Sequence, residues 1–214
     1  MTKNWMQDRK KEYYYKKAKE ENYRSRATYK LVQTNERYNF IIRGDIVVDL
    51  GAAPGGWIQA ARKMTTKTGF VLGVDIKPIE PFTQDYIRTI LGDLTDPKIV
   101  EEILSFLPRK ADVVLCDAAP GVTGIWEVDH ARQIDLATKS FEIATQILKP
   151  GGNFFAKVFE GDLLNDFLQT VKMNFEEVKL VKPKASRQTS SELYILALGL
   201  KAPRTPKLPA EEQT

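Results

Sequence analysis

Cysteine and histidine are almost missing from this chain: its 214 residues hold one of each, Cys116 and His130. A lone thiol cannot build a disulfide framework, which points to a reducing, cytoplasmic setting. Two such side chains also fall short of a zinc site, so no metal is expected. No apolar run approaches the roughly 20 residues that a membrane-spanning helix needs. The opening Met-Thr-Lys-Asn-Trp-Met-Gln-Asp-Arg-Lys carries no apolar core of a signal peptide. Two phosphate-binding patterns are absent as well: Gly-Lys-Ser/Thr occurs nowhere, and Gly-x-Gly-x-x-Gly is not met.

What the chain does have is an uneven charge. Residues 1–43 hold 12 Lys or Arg against 5 Asp or Glu, whereas the other 171 hold 20 against 23. An anionic partner is implied, with nucleic acid ahead of membrane, because the basic segment also carries Tyr13, Tyr14, Tyr15, Tyr23, Tyr29 and Tyr38. Rings can stack on bases while cations meet phosphates. The same tyrosines can instead pack the arm onto a domain, and composition leaves that choice open.

Residues 4–43 read as mostly helical, and from Asp45 strands and helices alternate. Candidate strands are Ile46–Asp49, Phe70–Val74, Ile87–Leu91, Val113–Asp117, Gly152–Val158, Glu177–Val181 and Leu193–Leu198. Helical segments fall at Trp57–Met64, Lys98–Phe106, Ala131–Leu148 and Leu163–Met173. Such alternation predicts an α/β fold with a mostly parallel seven-stranded sheet and helices on both faces. Lys182 to Glu192 is too short for a crossover helix, so the last strand should run antiparallel. The expected organisation is a basic arm (1–43), a catalytic domain (44–201) and a disordered tail (202–214) marked by Pro203, Pro206 and Pro209.

Asp45–Trp57, Asp-Ile-Val-Val-Asp-Leu-Gly-Ala-Ala-Pro-Gly-Gly-Trp, reads as strand, glycine turn and helix start. Ligands of open α/β sheets bind beyond the carboxyl ends of strands. The second strand ends at Asp75, placed to accept hydrogen bonds from two ribose hydroxyls. The third ends at Asp93, near a base edge, and the fourth at Asp117. Acids at successive strand ends without a phosphate cradle suit a cationic nucleoside, and S-adenosylmethionine is that ligand. Any one of these acids alone reads equally well as a cap or turn former.

Asp-Leu-Gly-Ala-Ala-Pro-Gly-Gly-Trp resembles the signature of the FtsJ (RrmJ) ribose 2′-O-methyltransferases, with a Rossmann-like methyltransferase fold. The resemblance runs from Trp5 to about Lys201. It takes in Arg24-Ser25-Arg26-Ala27, Lys30-Leu31, Cys116-Asp117-Ala118-Ala119-Pro120, Leu148-Lys149-Pro150-Gly151-Gly152, Lys157-Val158-Phe159-Glu160-Gly161 and Ser191-Glu192-Leu193-Tyr194. It implies a cofactor site of Gly55, Trp57, Asp75, Asp93 and Asp117, and a catalytic set of Lys30, Asp117, Lys157 and Glu192. The implied reaction is methylation of a ribose 2′-hydroxyl, on a uridine, in large-subunit (23S-type) ribosomal RNA by a monomer.

A lysine inside Phe154-Phe155-Ala156-Lys157-Val158-Phe159 is costly to bury unless paired or neutralised. An unpartnered structural lysine is thus the poorer reading, and within the set that the resemblance implies Lys157 is the expected general base. An unperturbed amine titrates near about 10.4, so burial and the like charge of Lys30 must lower it, while Asp117 and Glu192 push the other way and orient it. Arg24, Arg26, Lys182 and Arg187 are the expected RNA contacts, with Lys179 and Lys184 beside them. Cys116 reads as a small buried hydrophobe, and His130 as a surface or capping residue at the start of a helix. Trp126 either contacts ligand or pins its loop. Val122-Thr123-Gly124 also suits a transfer-RNA enzyme, and a non-catalytic RNA-binding assembly factor or a small-molecule methyltransferase are further alternatives.

Overall fold

The computed structural model describes residues 3–187 and 189–202, with backbone alone for residues 3–11. Apart from Ala202, the expected tail lies outside the described residues. Seven strands form one sheet: β1 (Ile46–Leu50), β2 (Phe70–Asp75), β3 (Ile87–Leu91), β4 (Ala111–Cys116), β5 (Leu148–Phe159), β6 (Phe175–Val181) and β7 (Glu192–Leu200). Their order is β3-β2-β1-β4-β5-β7-β6, with β7 antiparallel to both neighbours and the rest of the ladder parallel. The expected antiparallel hairpin is present, and its second strand inserts beside β5.

Helices cover both faces. α2 (Thr28–Tyr38) and α3 (Gly56–Thr65) lie on one, and α4 (Ile99–Phe106), α5 (Trp126–Ile147) and α6 (Leu164–Asn174) on the other; α1 (Lys3–Glu20) precedes them. Strand parity decides which side chain meets which layer. Ile46, Val48, Val114, Phe154 and Ala156 pack under α4–α6, whereas Val47, Val113, Leu115 and Phe155 face α2 and α3. Leu31, Phe40 and Ile41 are buried in that second core, so the later part of the basic segment is built into the sheet face.

Two element starts and one residue depart from the expected placing: β5 begins at Leu148, four residues ahead of the expected Gly152. α5 begins at Trp126, ahead of the expected Ala131. Asp129 lies within the first turn and reaches back, accepting from Thr123 N and Oγ1 (both 2.7 Å) and Gly124 N (3.1 Å). Those three hydrogen bonds lower its pKa. His130 is buried and not at the surface. Its ring packs on Gly161, where a Cβ would come within 2.6 Å of Nε2. That nitrogen accepts from Leu163 N (3.2 Å), so His130 caps the start of α6 rather than its own helix.

Candidate active site

The turn after β1 is shaped by backbone demands. Gly51 has φ +72°, and a Cβ there would lie 2.4 Å from Ala118 Cβ, so glycine lets the ends of β1 and β4 close up. Gly55 has φ +105° and sits against Phe82 and Arg24 at the N-cap of α3. Asp75 holds the turn from β2: Oδ2 accepts from Ala53 N and Oδ1 from Lys77 N, both at 2.8 Å. Asp93 accepts from Thr95 N and Oγ1, which lowers its pKa. These two acids do serve as turn formers. They also line one cavity of about 490 Å³ with Gly51, Asp117 and Pro120. Trp57 instead borders a smaller cavity of about 50 Å³, shared with Asp49, Ala53 and Asp117.

Asp49 was not singled out by its sequence position. Parity turns it onto the α3 face between Gly73 of β2 and Leu115 of β4, where it is 1% exposed. Neither carboxyl oxygen has a hydrogen-bond partner among the described residues. Burial, then the charges of Asp117 and Asp75, raise its pKa well above the usual carboxylate range. The folded state therefore holds a proton that the unfolded chain releases above about pH 4, and stability falls as pH rises from there toward the folded pKa. Asp49→Asn is expected to leave the thermal midpoint at pH 4 nearly unchanged. At pH 8 it should raise it, by about 2–4 °C for each kcal/mol recovered. Calorimetric melts at both pH values check this; an equal shift at both would contradict it.

The four charged residues expected to carry the reaction converge on that same face. Asp117 continues the parity of Val113 and Leu115, Lys157 that of Phe155, and Glu192 that of Leu196. Lys30 comes down from α2. Two ion pairs result. Lys30 Nζ meets Glu192 Oε1 and Oε2 at 2.7 and 2.8 Å, and Lys157 Nζ lies 3.2 Å from Asp117 Oδ1 while donating to Asp117 O. Lys157 is 7% exposed. Each lysine thus faces its own carboxylate, so the positive charge of Lys30 is matched by Glu192 rather than set freely against Lys157.

Tyr194 links the pairs, and sequence reading had placed no role on it. It stands opposite Lys157 in the β5–β7 ladder and is fully buried. Its hydroxyl donates to Asp117 Oδ1 (2.8 Å), and Lys30 Nζ sits 5.5 Å from its ring centroid. The ring stacks on Phe155, which in turn stacks on Trp57. Burial and the neighbouring Asp117 and Glu192 charges raise its pKa well above 10, so it stays neutral and donates. Ser186 Oγ also donates to Glu192 Oε1 (2.8 Å).

The basic segment sorts its aromatics. Tyr14 and Tyr23 pack against the buried Tyr29, and Gln33 bonds both Tyr14 Oη (2.8 Å) and Ala185 N (2.9 Å), fixing the arm to the loop before β7. Tyr13 and Tyr15 remain exposed. Arg26 is half-buried, and Lys182, Lys184 and Arg187 are exposed on that loop. Arg24 is engaged within the chain: its guanidinium donates to three backbone carbonyls and lies over Phe82. Trp126 stacks on His130 and Phe159, which pins the start of α5. Cys116 is buried, and burial pushes its thiol up to about 11.

Residues 23–200 match the family described as FtsJ-like methyltransferase. The chain belongs to that family. FtsJ-like relatives include the ribosomal RNA large subunit methyltransferase E of Methanococcus vannielii, 48% identical over 195 residues (91% of this chain, 75% of the relative). That of Methanocaldococcus jannaschii is 48% identical over 198 residues (91% and 81%). The crystal structure of a Plasmodium falciparum protein described as a ribosomal RNA methyltransferase superposes with TM-score 0.76 at 26% identity, covering 85% of this chain and all of that one. As an FtsJ-like methyltransferase the chain is an enzyme whose methyl donor is S-adenosylmethionine. Its residues fit that donor: carboxylates at three strand ends suit hydroxyls and an amine, and the orphaned Asp49 oxygens border the adjoining small cavity shared with Asp117.

Proposed function

We propose that this FtsJ-like methyltransferase methylates a ribose 2′-hydroxyl, on a uridine, in large-subunit ribosomal RNA, with Lys157 as the general base. The observation that carries the reading is the pair of lysine–carboxylate contacts joined through Tyr194, beside the Asp75–Asp93–Asp117 cavity. The donor supplies an electrophilic methyl group, and a hydroxyl becomes a competent nucleophile only as its proton leaves. Lys157 Nζ takes that proton as a free amine, after the ammonium of the resting ion pair has released one proton to solvent, and the backbone and side-chain oxygens of Asp117 orient it. Lys30 and Glu192 fix the acceptor ribose from the α2 side, and Asp75 and Asp93 orient the donor. The names of the relatives support the ribosomal substrate. All four charged residues come from one chain, which suits a monomer; among the described residues no helix is long and apolar enough to cross a membrane, and a cytoplasmic enzyme fits.

The loop Val122-Thr123-Gly124 keeps a transfer-RNA enzyme as the second reading. Tritium transfer from labelled S-adenosylmethionine to ribosomal subunits, naked ribosomal RNA and transfer RNA, followed by mapping of the methylated nucleotide, separates the two. Incorporation into a ribosomal RNA ribose is expected, and incorporation into transfer RNA alone would overturn the substrate.

A further inference from the structure

Arg24 lies in the basic segment six residues before Lys30, and its half-buried side chain is engaged by carbonyls of its own chain. Nη1 donates to Glu80 O at 2.6 Å and Pro54 O at 3.3 Å, and Nη2 donates to Pro81 O at 2.9 Å. The guanidinium carbon sits 3.8 Å from the centroid of Phe82. The same ring lies 2.7 Å from where a Cβ of Gly55 would stand. One planar fork therefore joins two loops that follow different strands: Ala53–Gly55 after β1 and Glu80–Phe82 after β2. Ala53 of the first loop and Ile76 and Lys77 at the start of the second line the cavity beside Asp75, whose carboxylate receives Ala53 N and Lys77 N.

We propose that Arg24 is a positioning residue for the methyl donor, setting the spacing of the two loops that bound the Asp75 side of the cavity, and not a phosphate contact. Three carbonyl acceptors and an aromatic face occupy the guanidinium on several sides, which leaves little of it for a phosphate. Its backbone is fixed separately, since Arg24 N donates to Gln59 Oε1 (2.7 Å) and Trp57 Nε1 donates to Ala27 O (2.9 Å). Those contacts survive loss of the side chain, so α2 keeps Lys30 in place and the effect stays with the donor. The donor is that of the family; the ribosomal RNA substrate proposed above is not needed for the argument.

The test titrates S-adenosylmethionine into the RNA-free protein by calorimetry and measures RNA affinity against salt for Arg24→Ala and Arg24→Lys. Both variants should weaken donor binding by about ten-fold or more, as expected for loss of a hydrogen-bonded fork that one ammonium does not replace. The donor KM should rise with kcat at saturating donor kept within two-fold, and the salt slope of RNA binding should not change. The opposite pattern overturns the proposal: unaltered donor affinity, with a slope reduced by about 0.7 in Arg24→Ala and restored in Arg24→Lys. Phe82→Leu, which removes the platform without touching charge, guards against a folding defect in the arginine variants. It should weaken donor binding in the same direction, and an unchanged donor affinity there would also sink the idea. Because the donor titration contains no RNA, failure to methylate ribosomal RNA would leave its outcome readable.

Discussion

Lys157→Met is expected to lower kcat by about 10²- to 10⁴-fold, the usual contribution of a positioned general base, while the donor affinity stays close to that of the unaltered protein. Methionine is the better replacement than alanine because Lys157 is nearly buried beside Phe155 and Tyr194, and a cavity there would add a packing defect. The variant leaves Asp117 its hydrogen bond from Tyr194, so one carboxylate oxygen stays satisfied. Single-turnover methylation with saturating donor isolates the chemical step from binding and product release. Turnover within three-fold of the unaltered enzyme would remove Lys157 from the role. A rise in donor Kd with unaltered kcat would place it in donor binding instead.

The second large effect is one of salt. If Arg26, Lys182, Lys184 and Arg187 each hold one phosphate of a single-stranded segment, the slope of log affinity against log salt is about −2.8, and raising salt from about 50 to 200 mM weakens RNA binding about 50-fold. Removing Arg187 should reduce that slope by about 0.7 and weaken all sequences alike, because phosphate contacts carry no base information. Fluorescence anisotropy with a labelled single strand measures both. An affinity indifferent to salt would locate the RNA elsewhere on the molecule.

The donor turn and the strand ends could be read from the chain because each is a contiguous run whose composition changes where the backbone does. Asp75, Asp93 and Asp117 share a cavity because they terminate neighbouring or nearby strands, a placement that strand–helix alternation already implies. Tyr194 could not be found this way: an aromatic inside an apolar strand looks like core, and it is core as well as a donor to Asp117. The packing of Arg24 was illegible for a different reason. Its acceptors lie 30 to 57 residues away, and a basic residue in a basic segment gives no sign of such partners. Asp49 hid in a hydrophobic run where only register shows which layer it enters. The start of α5 was placed late because Asp129 stabilises the loop behind it from inside the helix.

The insertion of β7 between β5 and β6 has a consequence for when activity can arise. Glu192 and Tyr194 sit on β7, the last of the seven strands in chain order among the described residues, and β6 has no other neighbour in the sheet order. A nascent chain can assemble the donor turn from β1, β2 and β4, but the ion pair of Lys30 and the hydroxyl on Asp117 form only once that final strand slides home. Such non-local pairing is the slow part of folding an α/β sheet. If Lys30 and Glu192 act as proposed, the transfer half of the site is complete only when β7 has taken its place beside β5.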